Sequence, residues 1–216
     1  MSKEQKCPAI KGRKNERAQL FSAFLKKQYP DALCALEYEG DPYRLLIMAR
    51  LSAQCTDKRG NEVSKPLFEK YPTVFSLAEA EQSEVEAIIR PCGLFRTKAE
   101  SIIAMSREMV ERHGGKVPNT YEDLIKLSGV GMKIANLMLG DVFGEPMIVP
   151  DTHCIRISHK LGLITKADPV VCERELSRLI PKEEHSDFCH RIVLFGREYC
   201  KAPTPRCGEC PFNKTN

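Results

Sequence analysis

The spacing of apolar residues constrains the fold of this chain more than any other feature, because they recur every three to four positions along most of the sequence. Such spacing is typical of amphipathic helices, and no alternating strand pattern of comparable length competes with it. Breaks rich in glycine and proline separate the segments. We therefore expect an all-α protein of about ten helices joined by short loops. The predicted helices are Arg17–Gln28, Pro42–Gln54, Gly60–Lys70, Ser83–Ile89, Lys98–His113, Tyr121–Lys126, Met132–Phe143, Thr152–Leu161, Pro169–Ile180 and Phe188–Tyr199.

The balance of charged residues weakly favours a polyanionic partner, since 33 Lys and Arg against 29 Asp and Glu leave a formal net charge of +4. The basic, polar start of the chain has no apolar core of the kind that a secretion signal needs. Charges also interrupt every apolar stretch well before the roughly 18 residues of a membrane-spanning helix. We expect a soluble intracellular protein whose 10 cysteines are free thiols or metal ligands rather than disulfides.

A glycine turn between two predicted helices is the first candidate binding feature. Gly129, Val130 and Gly131 separate a short helix ending near Leu127 from a second helix beginning at Met132. Two glycines so close permit positive φ angles and leave the first N–H groups of the second helix unpaired, an arrangement that binds phosphate. A plain helical hairpin with a glycine turn is the alternative. The basic and small apolar residues that follow favour contact with a DNA backbone.

Two motifs in the second half of the chain resemble those of a known family. The stretch LSGVGMKIAN is similar to the helix–hairpin–helix of the endonuclease III branch of DNA glycosylases, and VPDTHCIRISHKLGL is similar to that family's Gly/Pro-Asp segment. The motifs occur in the family's order and spacing, and the resemblance extends from about Leu45 to the C-terminus. One departure is Ile134, where the family commonly has threonine. We expect that difference to affect local helix packing more than chemistry.

The resemblance implies a two-lobed, all-α helix–hairpin–helix DNA glycosylase fold. Residues 41–142 would form a six-helix barrel domain that contains the hairpin. Residues 1–40 plus 143–216 would form a second helical domain that ends in a cysteine loop. Double-stranded DNA would lie across the cleft between the two lobes.

The resemblance also assigns the chemistry to Lys133 and Asp151. A glycosylase that cuts the strand needs an amine that attacks the sugar C1′ and forms a Schiff base, from which β-elimination follows. Because a lysine in water is protonated, Asp151 would deprotonate Lys133 or stabilise positive charge on the sugar. The alternatives are a solvated lysine and an ordinary N-cap of the next helix. Capping and catalysis are compatible, because backbone N–H groups hold a capping carboxylate in place.

Two further side chains are implied to open the duplex, because chemistry on a base requires its extrusion. Gln54 would fill the vacated space, and Leu94 would be an apolar wedge between bases. Otherwise Gln54 would be an ordinary surface residue and Leu94 a core residue. Lys98 would meet DNA phosphates, together with other basic residues beside the cleft. Those residues are Lys58, Arg59 and Arg96.

Three cysteines near the end of the chain stand at the first three positions of the family's C-x6-C-x2-C-x5-C loop around a [4Fe-4S] cluster: Cys200, Cys207 and Cys210. The fourth position falls on Asn216, which puts the cluster in question. Three explanations stay open: a cluster with another fourth ligand, loss of the cluster, or a zinc site that uses histidine. Candidates for a fourth ligand are the terminal carboxylate, Cys189 and His190. The remaining cysteines are expected to be free thiols.

The implied function is that of a bifunctional DNA glycosylase and abasic-site lyase of base excision repair. Its substrate would be double-stranded DNA with damaged bases, mainly oxidised pyrimidines, and we expect a monomer acting in the cytoplasm at the nucleoid. The stretch Met48-Ala49-Arg50 offers no carboxylate, which disfavours an adenine-excising relative. Two alternatives are a non-catalytic DNA-binding module and a monofunctional glycosylase that lacks the lyase step.

Overall fold

The computed structural model describes residues 12–214, and this part of the chain is helical, without a β-strand. None of the described helices combines the length and the apolar character that crossing a membrane requires. Twelve α-helices follow one another in the described residues. They are α1 (Lys14–Gln28), α2 (Pro42–Leu51), α3 (Asp57–Lys70), α4 (Val74–Ala78), α5 (Gln82–Ile89), α6 (Phe95–His113), α7 (Tyr121–Leu124), α8 (Met132–Asp141), α9 (Thr152–Lys160), α10 (Pro169–Leu179), α11 (His185–Glu198) and α12 (Pro211–Lys214).

The all-α prediction is confirmed, and the helices differ from the predicted ones in detail. Helices α4 and α12 were not predicted, because they are five and four residues long and too short to show a helical repeat. Helix α2 ends at Leu51 rather than at Gln54. The chain after Leu51 instead turns, and this turn carries Gln54 outside the helix.

The chain divides into two compact units. The first unit comprises the chain up to Leu33 and from Glu145 onward, and the second comprises Cys34–Gly144. The second unit contains helices α2 to α8. The predicted boundaries at residues 41 and 142, and the six-helix barrel within them, stay predictions.

Helix α2 forms the centre of the second unit. Asp41 caps its N-terminus by accepting a hydrogen bond from the Tyr43 N–H at 2.8 Å, and proline occupies the first turn. Side chains around its whole circumference are fully buried, as expected of a helix surrounded by others. These side chains are Leu45, Leu46, Ile47, Met48 and Leu51. Helix α2 packs against α3, α6 and α8, so its C-terminal end is held beside the elements that carry the glycine turn.

An aromatic cluster forms the core of the first unit. Phe21 of α1 is fully buried, and its ring centroid lies 5.0 Å from that of Phe212 and 5.4 Å from that of Phe195. Phe188 contacts the same ring edge-on at 6.2 Å. These rings join α1, α11 and α12, which come from both ends of the chain. The short helix α12 is therefore held by packing rather than by its own propensity.

Candidate functional site

The glycine turn before α8 has the backbone geometry of an anion site. Gly129 has a φ of +78°, in the left-handed region that favours glycine, and Val130 is buried. Gly131 is extended, with a φ of −111°, and begins α8 without a side-chain cap. The first N–H groups of α8 are therefore not satisfied by a cap, and the positive end of the helix dipole points the same way.

Two contacts within the second unit hold this turn in place. The Ser128 N–H and hydroxyl donate to the two carboxylate oxygens of Glu108 in α6, at 2.7 and 2.8 Å. On the other side, Gly129 packs directly on Arg50 of α2, and a methyl group added at Gly129 would lie 2.5 Å from Arg50 Nε. Neither contact could be predicted from a local sequence pattern, because the partners are far apart along the chain.

Lys133 is the second residue of α8 and its side chain is exposed. Among residues 12–214 its ammonium has no hydrogen-bond or ion-pair partner. The next residue, Ile134, is buried in the core of the unit, where it helps to fix the first turn of α8. The amine of Lys133 is thus exposed, while the helix that carries it is anchored in the core directly after the turn.

Asp151 caps α9 in the first unit. Its Oδ1 accepts a hydrogen bond from the Cys154 N–H at 2.6 Å, and its own N–H donates to the Val149 carbonyl at 2.8 Å. The side chain is half-buried, and its second oxygen has no partner in the described part of the chain. The capping interpretation is therefore confirmed, and one carboxylate oxygen is left over for another role. Lys133 and Asp151 belong to different units, and their pairing stays a prediction.

Gln54 and Leu94 both adopt left-handed backbone conformations, with φ angles of +55° and +46°. Among the described non-glycine residues, only Glu39 shares this feature. The left-handed conformation costs an L-residue about 1–2 kcal/mol, and strain of this kind concentrates at functional sites. Leu94 is also 59% exposed, which excludes the core-packing alternative. Gln54 is exposed in the turn that follows α2.

The prediction that Lys98 meets DNA phosphates is wrong. Its side chain is fully buried, and the ammonium donates to the Cys92 carbonyl at 2.9 Å. Burial lowers the pKa of Lys98, while the nearby thiols of Cys92 and Cys55 oppose that shift. A lysine stem is long enough to reach inward as well as outward, and the sequence does not show which. The other predicted basic contacts are exposed: Lys58, Arg59 and Arg96.

The three C-terminal cysteines line one pocket in the first unit. The pocket is otherwise lined mainly by apolar and aromatic side chains. Its walls include Ile157, Leu161, Phe195, Phe212, Cys200, Cys207 and Cys210. Burial raises the pKa of the Cys210 thiol, and the neighbouring Cys200 and Cys207 thiols add to this. Arg156 donates to the Cys200 sulfur at 3.3 Å.

The two kinds of metal site left open by the sequence place different demands on these thiols. Within residues 12–214, no three His, Cys, Asp or Glu side chains are placed so that they could share one metal ion. A zinc ion needs its ligands at about 2.3 Å from a single point. In a [4Fe-4S] cluster each thiolate binds a different iron, so the sulfurs surround a space instead. All three cysteines line the same pocket, and the predicted fourth position, Asn216, lies outside the described residues.

A second group of cysteines was not predicted. The sulfurs of Cys154 and Cys172 lie 3.8 Å apart, and the Cys189 sulfur accepts a hydrogen bond from the Val149 N–H at 3.2 Å. Hydrogen bonds to Cys172 and Cys189 raise the pKa of the fully buried Cys154. Neither Cys189 nor His190 is among the described residues that line the pocket of the C-terminal cysteines. The structure therefore gives no support to either as a fourth ligand.

The fold and the hairpin define a helix–hairpin–helix protein, and comparison with known proteins agrees. Residues 47–182, more than half of the chain, match the model of the HhH-GPD superfamily of base excision DNA repair proteins. Endonuclease III of Synechocystis sp. is 42% identical over 198 residues, which cover 91% of this chain and 90% of that protein. Endonuclease III of Bacillus subtilis is 42% identical over 185 residues, covering 85% and 84%.

Solved structures extend the similarity to three dimensions. A trapped endonuclease III–DNA covalent intermediate is 40% identical, with a TM-score of 0.88, and the match covers 92% of this chain and 93% of that chain. A thermostable thymine-DNA glycosylase, at 21% identity and a TM-score of 0.81, shares the fold. The chain belongs to the HhH-GPD superfamily and, within it, to the endonuclease III family, the DNA glycosylases and abasic-site lyases of base excision repair.

Replacing Gly129 by alanine tests the anchoring of the turn. The added methyl group would be strained at a φ of +78° and would displace Arg50, so we expect the free energy of unfolding to fall by roughly 1–3 kcal/mol. Gly131→Ala is the matched control, because its φ is ordinary and no atom lies within 4 Å of the added methyl group. Urea denaturation measures both variants, and equal stabilities would contradict the described turn.

Proposed function

We propose that this enzyme removes oxidised pyrimidines from double-stranded DNA as a monomer, with Lys133 as the nucleophile. The observation that carries the proposal is the position of Lys133, exposed and without a described partner in the first turn after an uncapped glycine hairpin. A phosphate bound by the amides at the start of α8 would bring the DNA backbone beside the lysine. The amine and the sugar would then meet without further movement of the hairpin.

The reaction proceeds through a covalent bond between lysine and sugar. The neutral amine of Lys133 attacks C1′, and the bond from C1′ to the damaged base breaks, with the electron pair leaving on the base. Loss of a proton from nitrogen and opening of the sugar ring give a Schiff base. Removal of a C2′ proton then expels the 3′ phosphate by β-elimination. Water finally releases the lysine from the remaining sugar fragment.

Asp151 is proposed to balance charge during the attack. Its Oδ1 is held by the N–H of Cys154, so the group is fixed in orientation, and its second oxygen is unassigned. That oxygen accepts the proton that the lysine must lose, or stabilises the positive charge that develops on the sugar. A carboxylate that caps a helix suits either task, because the backbone N–H group already holds it in one orientation before the substrate binds.

Gln54 and Leu94 are proposed to open the duplex. Both side chains are exposed on strained turns of the same unit that carries the hairpin. An amide can hydrogen-bond the base left without a partner, and an apolar side chain can enter between stacked bases. The left-handed backbone sets the direction in which each side chain leaves its turn, so less reorientation of the backbone is needed for insertion.

We further propose that Cys200, Cys207 and Cys210 hold three corners of a [4Fe-4S] cluster. The shared apolar pocket supports this, and no step of the chemistry above passes through the cluster.

Anaerobically purified protein should contain iron and acid-labile sulfide in equal amounts, and Asn216→Cys should slow iron loss in air. Zinc alone, or no metal, would contradict the proposal. Cys207→Ser should lose the iron, whereas Cys34→Ser should retain it.

Borohydride trapping on a duplex with an abasic site tests the nucleophile. The wild-type enzyme should form a covalent complex with the DNA, and Lys133→Gln should form none while its binding affinity changes little. Lys126→Gln is the matched control, since Lys126 is an exposed lysine just before the turn, paired with Asp123 at 2.9 Å. This control should trap as the wild type does.

Asp151→Asn forms the second arm of the same experiment. Asparagine is as good an N-cap as aspartate, so α9 should remain intact while trapping slows by about 100-fold or more. Persistent trapping by Lys133→Gln would overturn the assignment of the nucleophile. Base release that survives without strand cleavage in Lys133→Gln would indicate a monofunctional glycosylase, and binding without either activity in the wild type would indicate a non-catalytic module.

A further inference from the structure

Arg50 occupies an unusual position beneath the hairpin turn. It lies at the C-terminal end of the buried helix α2, where its stem packs on the backbone of Gly129. A methyl group at Gly129 would lie 2.5 Å from Arg50 Nε and 2.9 Å from Arg50 Cδ. The guanidinium is therefore in contact with the turn rather than free in solution.

One side of the guanidinium is fixed by a hydrogen bond. Arg50 Nε donates to the Ser101 hydroxyl at 2.8 Å, and that hydroxyl donates to the Lys98 carbonyl at 3.0 Å. An arginine has further N–H donors on its two terminal nitrogens. Among residues 12–214, no acceptor is described for those of Arg50. The guanidinium of Arg50 is therefore fixed in orientation through Nε, and its two terminal nitrogens can still donate hydrogen bonds.

The charge of Arg50 is also not neutralised within the described residues. The side chain is half-buried, and burial lowers the pKa of Arg50. The buried ammonium of Lys98 is close enough that the charge of Arg50 helps to lower the pKa of Lys98. On the same helix, by contrast, Arg44 is paired with the carboxylates of Glu39 and Asp41. Arg50 and Lys98 are thus two neighbouring cations for which no carboxylate partner is described. Uncompensated positive charge of this kind favours the binding of an anion.

We propose that Arg50 is a DNA-binding residue whose terminal nitrogens donate to a backbone phosphate at the hairpin turn. The proposal rests on the proposed function, in which the hairpin binds DNA. A planar guanidinium matches the two oxygens of a phosphate and makes charge-assisted hydrogen bonds to them. The turn would then hold the backbone with neutral amides at the start of α8 and with a fixed positive charge beneath them. Ser101 acts as the positioning residue for that charge.

The salt dependence of DNA binding tests this role. We would measure the affinity of Arg50→Met for a duplex with a tetrahydrofuran abasic analogue at several potassium chloride concentrations. Methionine keeps an apolar stem beneath Gly129 but removes the charge. Loss of one phosphate contact should reduce the slope of log affinity against log salt by about 0.9. The affinity should also fall several-fold at low salt.

Arg44→Met is the matched control, because it removes the same charge from the same helix where carboxylates already pair with it. Its salt slope should equal that of the wild type, and Arg50→Lys should keep the slope while binding more weakly. If Arg50→Met does not fold, as judged by thermal unfolding, Arg50→Gln takes its place and should give the same reduced slope. A wild-type slope in the charge-removing Arg50 variant would overturn the proposal. Failure of the wild type to trap DNA would overturn the proposed function instead.

Discussion

The conformation of the turn at Gly129 is the constraint on which the candidate site depends. The Ser128–Glu108 hydrogen bonds hold this left-handed turn against α6, and the contact between Gly129 and Arg50 holds it against α2. Because Lys133 is the second residue of α8, the position of the amine follows from the position of the turn. One rigid element therefore carries both the proposed phosphate site and the proposed nucleophile, which is how effective catalytic geometries are maintained.

The second unit also carries energetic costs that its packing must offset. Gln54 and Leu94 each hold a left-handed conformation, and Leu94 exposes an apolar side chain. Neither feature contributes to stability. The two left-handed conformations together cost about 2–4 kcal/mol. The fully buried helix α2 and its neighbours supply the compensating burial. Strain maintained on two exposed turns is consistent with side chains that act on DNA rather than on the fold.

Local patterns predicted the fold and part of the site, whereas long-range contacts did not follow from them. The helical repeat identified every long helix, and the Asp151 cap was readable from its position before α9. Lys98 was placed wrongly because its burial depends on tertiary packing. The Glu108–Ser128 and Arg50–Gly129 contacts join distant segments, so no local pattern indicates them. The same reason hides the group formed by Cys154, Cys172 and Cys189, whose residues have no ligand-like spacing.

The central claim is that one amine, that of Lys133, bonds to the sugar. Peptide mapping by mass spectrometry of the borohydride-reduced complex, after digestion of both protein and DNA, tests it most directly. The account predicts a single peptide carrying the sugar adduct, with fragment ions that place the added mass on Lys133. An adduct on another lysine, or on the N-terminal amine, would contradict it.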